Sequence, residues 1–188
     1  MKKLIFILLL CAFAWADGAN LLAVGKKVPD FQLTTEDNKP VKLSDFKGKV
    51  VLVTFLYTQC PYPDKCPMLA EKLGKTRDLV DSLEGGKDKF HVLSITIDPK
   101  RDTATALNKY ASSTNRDAAN WTFLTGTPGE VQKVASLFGV IYWDEKGVVE
   151  HNMRTAVIDQ SGKLYKLWTG NDWKPGEMSA VVRDLLTQ

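Results

Sequence analysis

The run Val50-Val51-Leu52-Val53-Thr54-Phe55-Leu56 leads directly into Tyr57-Thr58-Gln59-Cys60-Pro61-Tyr62-Pro63-Asp64-Lys65-Cys66-Pro67. The first part is β-branched and almost continuously apolar, the pattern of a central strand covered on both faces. The second part ends in a proline at the first turn of a helix, where a missing N–H costs nothing. Two thiols are therefore carried on a strand-to-helix turn. Such a pair can close a disulfide, exchange disulfides with another protein, or hold a soft metal.

The flanking sequence supplies the rest of an α/β fold. Upstream, Val28 to Leu33 reads as an edge strand, with Pro29 barring it from a sheet centre. Glu36 to Lys39 reads as a turn and Val41 to Leu43 as the return strand of an N-terminal hairpin. Downstream, Leu69, Leu73, Val80 and Leu83 mark one face of the helix opening at Pro67, with Gly85-Gly86 as its stop. Phe90 to Ile97 predicts the next strand, closed by Asp98-Pro99, and Thr103 to Ala111 a shorter helix. Trp121 to Leu124 predicts a third core strand. Thr127-Pro128-Gly129-Glu130 is a capping box, ahead of a helix whose apolar face is Val131, Val134, Ala135 and Phe138. Val148 to Asp159 and Lys163 to Trp168 read as a hairpin turning at Gln160-Ser161-Gly162. Met178, Val181, Val182, Leu185 and Leu186 form the stripe of a terminal helix. This order predicts an α/β thioredoxin-like sandwich, a central mixed sheet flanked by helices with an N-terminal β-hairpin.

The chain has 188 residues, 44% of them hydrophobic, which suits one core. Residues 1–16 read as a signal peptide: Lys2 and Lys3 precede the apolar stretch Leu4 to Phe13, and Ala14-Trp15-Ala16 offers a small-residue cleavage site. The apolar stretch is shorter than the roughly 20 residues of a spanning helix. A lipid site at Cys11 is disfavoured by the bulk of Leu10. Residues 17–26 then form a linker and 27–188 the domain. The expected location is periplasmic or otherwise extracytoplasmic, with no stable membrane span in the mature chain and N-terminal anchoring the less favoured alternative. Loss of Lys2 and Lys3 takes 25 basic residues to 23 against 22 acidic ones, a net charge of +1. The charges are interspersed, without a basic stripe, which argues against nucleic acid as a partner. Export also carries away Cys11, leaving the single pair Cys60 and Cys66 in a compartment where disulfides persist.

Five residues separate these cysteines, two of them proline, so the tight Cys-x-x-Cys turn of a dithiol oxidoreductase is absent. The helix N-terminus and Lys65 favour a thiolate at Cys66. A plain stabilising disulfide in so short a loop would contribute about 2.4 kcal/mol. Of the two histidines, His91 reads as an ordinary strand-end residue. His151 lies just ahead of the late strand Thr155 to Asp159, which in this layout faces the cysteine turn, and it is a candidate third ligand. Two sulfurs and an imidazole suit copper as Cu(I) or Cu(II), although zinc can use the same set. A thioredoxin-type reductase would place a proline before that late strand, and no proline occurs between Pro128 and Pro175. A peroxidase of the same fold would need a threonine and proline arrangement before its cysteine that this chain lacks. The aromatic residues Tyr57, Tyr142, Trp143, Trp168 and Trp173 read as core or rim. Tyr62, between two prolines in the loop, reads as part of a docking surface.

From Gly25 to Leu186 the chain resembles the Sco/SenC family of copper-binding thioredoxin-fold proteins. The residues that carry the resemblance are Phe55 to Pro61 with Cys66-Pro67, Ser94 to Thr103 with its Asp98-Pro99-Lys100-Arg101-Asp102-Thr103 segment, Trp121 to Gly126, and His151 ahead of Ala156 to Gly162. The resemblance implies Cys60, Cys66 and His151 as copper ligands, and Asp98 as a carboxylate tuning the site from outside the ligand set. The alternative role for Asp98 and Asp102 is to cap the helix at Thr103. The resemblance also implies a metallochaperone that delivers copper to, or matures, the binuclear copper centre of a respiratory oxidase. Its partner would be the copper-centre subunit or another copper acceptor. A thiol-disulfide oxidoreductase, with Cys60 and Cys66 as its catalytic pair, remains the enzyme-class alternative. The chain departs from the commoner family pattern in one respect: five residues, not three, lie between the cysteines.

Overall fold

A computed structural model describes residues 21–113 and 119–188. The segment read as a signal peptide, and residues 17–20 of the segment read as a linker, lie outside the described residues. Residues 21–26 run along the domain: the Leu22 amide donates to the Leu137 carbonyl at 3.0 Å and the Gly25 amide to Leu164 at 2.7 Å.

The strands are β1 (Gln32–Thr35), β2 (Pro40–Lys42), β3 (Val50–Leu56), β4 (Phe90–Thr96), β5 (Trp121–Thr125), β6 (Tyr142–Glu145), β7 (Val148–His151), β8 (Arg154–Ile158) and β9 (Leu164–Thr169). The helices are α1 (Cys66–Asp81), the single turn α2 (Gly86–Lys89), α3 (Ala104–Ser113), α4 (Pro128–Leu137) and α5 (Pro175–Leu186), with a 3-10 turn at Leu43–Phe46. Seven strands form one mixed sheet in the order β2-β1-β5-β4-β3-β8-β9, and β6-β7 form a separate ribbon. Strands β3, β4 and β5 are parallel, while β8 runs antiparallel to β3 with Thr54 opposite Thr155 and Val51 opposite Ile158. This is the expected thioredoxin-like α/β sandwich.

All seven residues of β3 and all seven of β4 are buried, as their unbroken apolar runs require when helices cover both faces. Helix α1 packs along α5 and against β4, and α5 packs against β3. Phe55, Phe90, Phe123, Phe138, Leu69 and Leu73 lie in the core between these layers. The capping box forms as read: the Glu130 amide donates to the Thr127 hydroxyl at 3.3 Å, and the Thr127 amide to the Glu130 carboxylate at 2.7 Å.

Three boundaries differ from the sequence reading. The first strand begins at Gln32 rather than Val28, whose amide is engaged by the Gly162 carbonyl at 2.9 Å. Helix α1 stops at Asp81, before the glycines, and Gly85 in the left-handed conformation (φ 71°) starts the short α2. The stretch Val148 to Asp159 is two strands in different sheets. Its break is at Asn152-Met153, where the Asn152 side chain accepts from the Ile141 amide at 2.9 Å and donates to the Gly139 carbonyl at 2.9 Å. That break turns His151 at the end of β7 toward the cysteine loop. Among the described residues, no helix is long and apolar enough to cross a membrane.

Candidate metal and thiol site

Cys60 follows the C-terminal end of β3, and Cys66 is the first residue of α1. Parallel pairing of β3 with β4 fixes the first, and packing of α1 on the sheet fixes the second. Both thiols are free; Cys66 is buried and Cys60 partly exposed. His151, at the end of β7, brings Nε2 to 3.9 Å from the Cys66 sulfur. The three residues singled out as ligands are thus gathered at one end of the sheet by three separate elements.

The imidazole is held in a useful tautomer. Nδ1 lies 3.0 Å from the Asn152 carbonyl. A carbonyl can only accept, so Nδ1 carries the proton and Nε2 presents its lone pair to the sulfurs. Burial lowers the pKa of His151, which keeps it neutral and able to ligate. The donor set of two sulfurs and one neutral imidazole therefore fits copper, and equally fits zinc with water. Among the described residues, no three Cys, His, Asp or Glu side chains stand as a ready-made metal cage.

The thiolate does not sit where the helix N-terminus alone would put it. Cys60 is pulled down to about 6, chiefly by the hydrogen bond from Cys66. Cys66 is pushed up, by that same pairing with Cys60 and by burial. Two neighbouring sulfurs share one negative charge, and the more exposed one carries it more cheaply. Cys60 is therefore the sulfur that gives up its proton more readily, and Cys66 the one that keeps it. Tyr57 closes the floor of the site, its ring edge-on to His151 at 6.1 Å between centroids. It is fully buried, and its hydroxyl faces Cys60.

Asp98 lies in the loop that follows β4. Its carboxylate pairs with Arg101, which also donates to the Gly147 carbonyl at 2.6 Å, linking β4 to the β6–β7 turn. Asp102 is the carboxylate tied to the cysteine turn. It accepts from the Thr58 amide at 3.0 Å, the Thr58 hydroxyl at 2.6 Å and the Thr96 hydroxyl at 2.6 Å. The sequence signal for it was the same Asp98-to-Thr103 run, in which Asp102 was read mainly as a helix cap. Tyr62, which reads as part of a docking surface, is half-buried and donates its hydroxyl to Glu150 at 2.6 Å. Trp143 is half exposed on the β6–β7 ribbon, whereas Trp173 is buried.

The family model described as SCO1/SenC matches residues 22–187. The chain is 32% identical over 158 residues to human "Protein SCO1 homolog, mitochondrial", a match covering 81% of this chain and 50% of that protein. The chain thus spans about half the length of that relative. Among solved structures, Bradyrhizobium japonicum ScoI with copper bound is 26% identical with a TM-score of 0.71, covering 85% of this chain and 99% of that one. BsSco, described with a disulfide switch and as a member of the Sco family of cytochrome c oxidase assembly proteins, is 28% identical. Its TM-score is 0.68, with 86% of this chain and 92% of that chain covered.

Proposed function

The chain belongs to the SCO1/SenC family, and from that premise we propose that it is an extracytoplasmic copper metallochaperone that binds Cu(I) through Cys60, Cys66 and His151. The reading is carried by one observation: His151 Nε2 stands 3.9 Å from the Cys66 sulfur with its other nitrogen already committed to a backbone carbonyl. It is supported by the copper-bound structure of the Bradyrhizobium relative. Copper is cargo here. Cys60, as thiolate, makes the first contact; Cys66 loses its proton on binding; His151 completes the set without a proton change. Partial exposure of Cys60 lets an acceptor's sulfur or nitrogen replace these donors one at a time. The proposed acceptor is the copper-centre subunit of a respiratory oxidase, delivery to which suits the oxidase-assembly description of BsSco.

A second reading is favoured by the low pKa of Cys60 beside a free Cys66. In it the pair acts as a thiol-disulfide reductase of the acceptor's cysteines. The Cys60 thiolate attacks an acceptor disulfide, the Cys66 sulfur then displaces the mixed disulfide, and two electrons and two protons pass to the acceptor. One pair of experiments separates the readings. Reduced protein titrated with Cu(I) against a chromophoric chelator is expected to bind one ion per chain. His151→Ala should weaken that affinity by more than about a hundredfold, beyond the usual cost of losing an outer partner. Unchanged affinity in the variant would sink the chaperone reading. Reduction of a model disulfide that survives in His151→Ala without metal would establish the second.

A further inference from the structure

Five residues separate Cys60 from Cys66, and covalent geometry alone leaves their sulfurs free to drift apart. Cys66 is locked by the first turn of α1. Within the loop, the Lys65 amide closes a turn onto the Tyr62 carbonyl at 3.1 Å, but this bond ties the loop only to itself. Among the described residues, the loop's hydrogen-bonded side chains reach the strand carrying the ligand histidine through one carboxylate, beside the longer Cys66–His151 contact. Glu150 accepts from the Tyr62 hydroxyl at 2.6 Å through one oxygen and from the Lys65 ammonium at 3.1 Å through the other. The same ammonium lies 4.1 Å from the centre of the Tyr62 ring, so the three side chains form a closed triangle. Lys65 and Glu150 are only 29% and 25% exposed, which limits screening of the pair. A weaker tie holds the other side of the loop, where the Asn171 amide donates to the Asp64 carbonyl at 3.3 Å.

Glu150 is also the residue before His151, and β7 turns their side chains to opposite faces. The two residues share the β7 backbone, so a loop held by the Glu150 carboxylate is held to the segment that carries the ring. We propose that Glu150 is a positioning residue: through Tyr62 and Lys65 it clasps the cysteine loop to β7, so that the sulfurs and the His151 ring are set together before copper arrives. This rests on the copper-binding reading above. The role belongs to an acidic residue with two free oxygens, because it must accept from a phenol and a cation at once. In this chain the long loop is thereby made as constrained as a short one, and reorganisation on binding is reduced.

The test uses Tyr62→Phe, Glu150→Gln, Glu150→Ala and Tyr62→Phe combined with Glu150→Ala, each in the full domain. Two quantities are measured: Cu(I) affinity of the reduced protein by chelator competition, and hydrogen exchange of the Lys65, Cys66 and Met68 amides without metal. Tyr62→Phe should lose about three- to tenfold in affinity, the effect of one charge-assisted bond at a partly exposed site. Glu150→Gln, which keeps an acceptor for Tyr62, should lose less than Glu150→Ala. Adding Tyr62→Phe to Glu150→Ala should cost nothing further, since the two share one interaction. The loop amides should exchange faster in each variant while the thermal midpoint stays the same, which separates positioning from general destabilisation. Wild-type affinity and wild-type loop protection in Tyr62→Phe would overturn the clasp, as would additive losses in the double variant. If wild-type protein itself fails to bind Cu(I), the chaperone reading falls; the clasp is then retained if the loop amides lose protection and rejected if they do not.

Discussion

Asp102 has no exposed surface and holds three donors at once, two from Thr58 and one from Thr96. Thr58 stands two residues before Cys60, so this carboxylate anchors the start of the cysteine loop to β4. Asp102→Ala would leave the buried Thr96 hydroxyl and the half-buried Thr58 amide and hydroxyl without this acceptor, and should destabilise the protein by about 3 kcal/mol or more in urea unfolding at neutral pH. Asp102→Asn keeps an oxygen where two of the donors converge, and the rotatable Thr58 hydroxyl can accept from the new amide. It should cost less than about 1 kcal/mol. A larger loss for Asn than for Ala would refute this account. At this scale the ligand candidates Cys60, Cys66 and His151 were legible because sulfur and imidazole are scarce in the chain and declare their chemistry. Asp102 and Glu150 were not, because carboxylates are common and only their partners distinguish an anchor from a solvated charge. The seat of the thiolate was misread for a related reason. A helix N-terminus favours the charge on Cys66, but burial beside Cys60 outweighs it.

The end of α1 shows how an element stops against its neighbours rather than at its strongest breaker. The glycines at 85 and 86 have different jobs. Gly85 adopts φ 71°, whereas a Cβ on Gly86 would lie 1.9 Å from the Val80 carbonyl oxygen. Gly85→Ala should cost about 1–2 kcal/mol, the left-handed penalty. Gly86→Ala collides with backbone that no rotamer change can clear, and should cost about 3 kcal/mol or more. Thermal unfolding of the two variants checks the ranking, and equal losses would contradict it. The β6–β7 ribbon was not foreseen, because Tyr142 to Glu145 lacks a run of apolar residues. Its turn carries the missing signal: Lys146 and Gly147 both take positive φ, 54° and 88°, the mirror-image turn that suits a two-residue hairpin. Lysine is an uncommon first residue there, which hid it. The strands β3 and β4 were plain, since double-sided burial writes itself as an unbroken apolar run.

Across the whole molecule, stability should depend on pH through His91, at the far end of the sheet. Its ring lies tilted against Phe46 with 4.5 Å between ring centres and meets the Thr122 hydroxyl at 2.9 Å. Burial, with help from Lys49, holds its pKa down to about 4, against an ordinary value of 6.5. Between those values the unfolded chain takes up a proton that the native state refuses. This contribution is therefore complete above about pH 6.5 and falls as pH drops toward 4, with roughly 2 kcal/mol lost between pH 7 and pH 4.5. Asp102 acts in the opposite sense: its raised pKa, caused by burial, makes acid relatively favourable to the fold. Comparing urea unfolding of wild type and His91→Gln at both pH values isolates the histidine, and an equal acid loss in the two would disprove its role. The α/β class, the two central strands, the capped helices and the scarce sulfur and nitrogen donors are readable in the chain before it folds, because periodicity, caps and rare side chains are local properties. Tertiary structure alone decided that a break after His151 turns its ring to Cys66, that the thiolate rests on Cys60, and that Glu150 and Asp102 hold the cysteine loop from two sides. Those facts depend on which groups meet across 44 to 88 residues of chain, on the burial each encounters there, and on charges that settle only once their neighbours are in place.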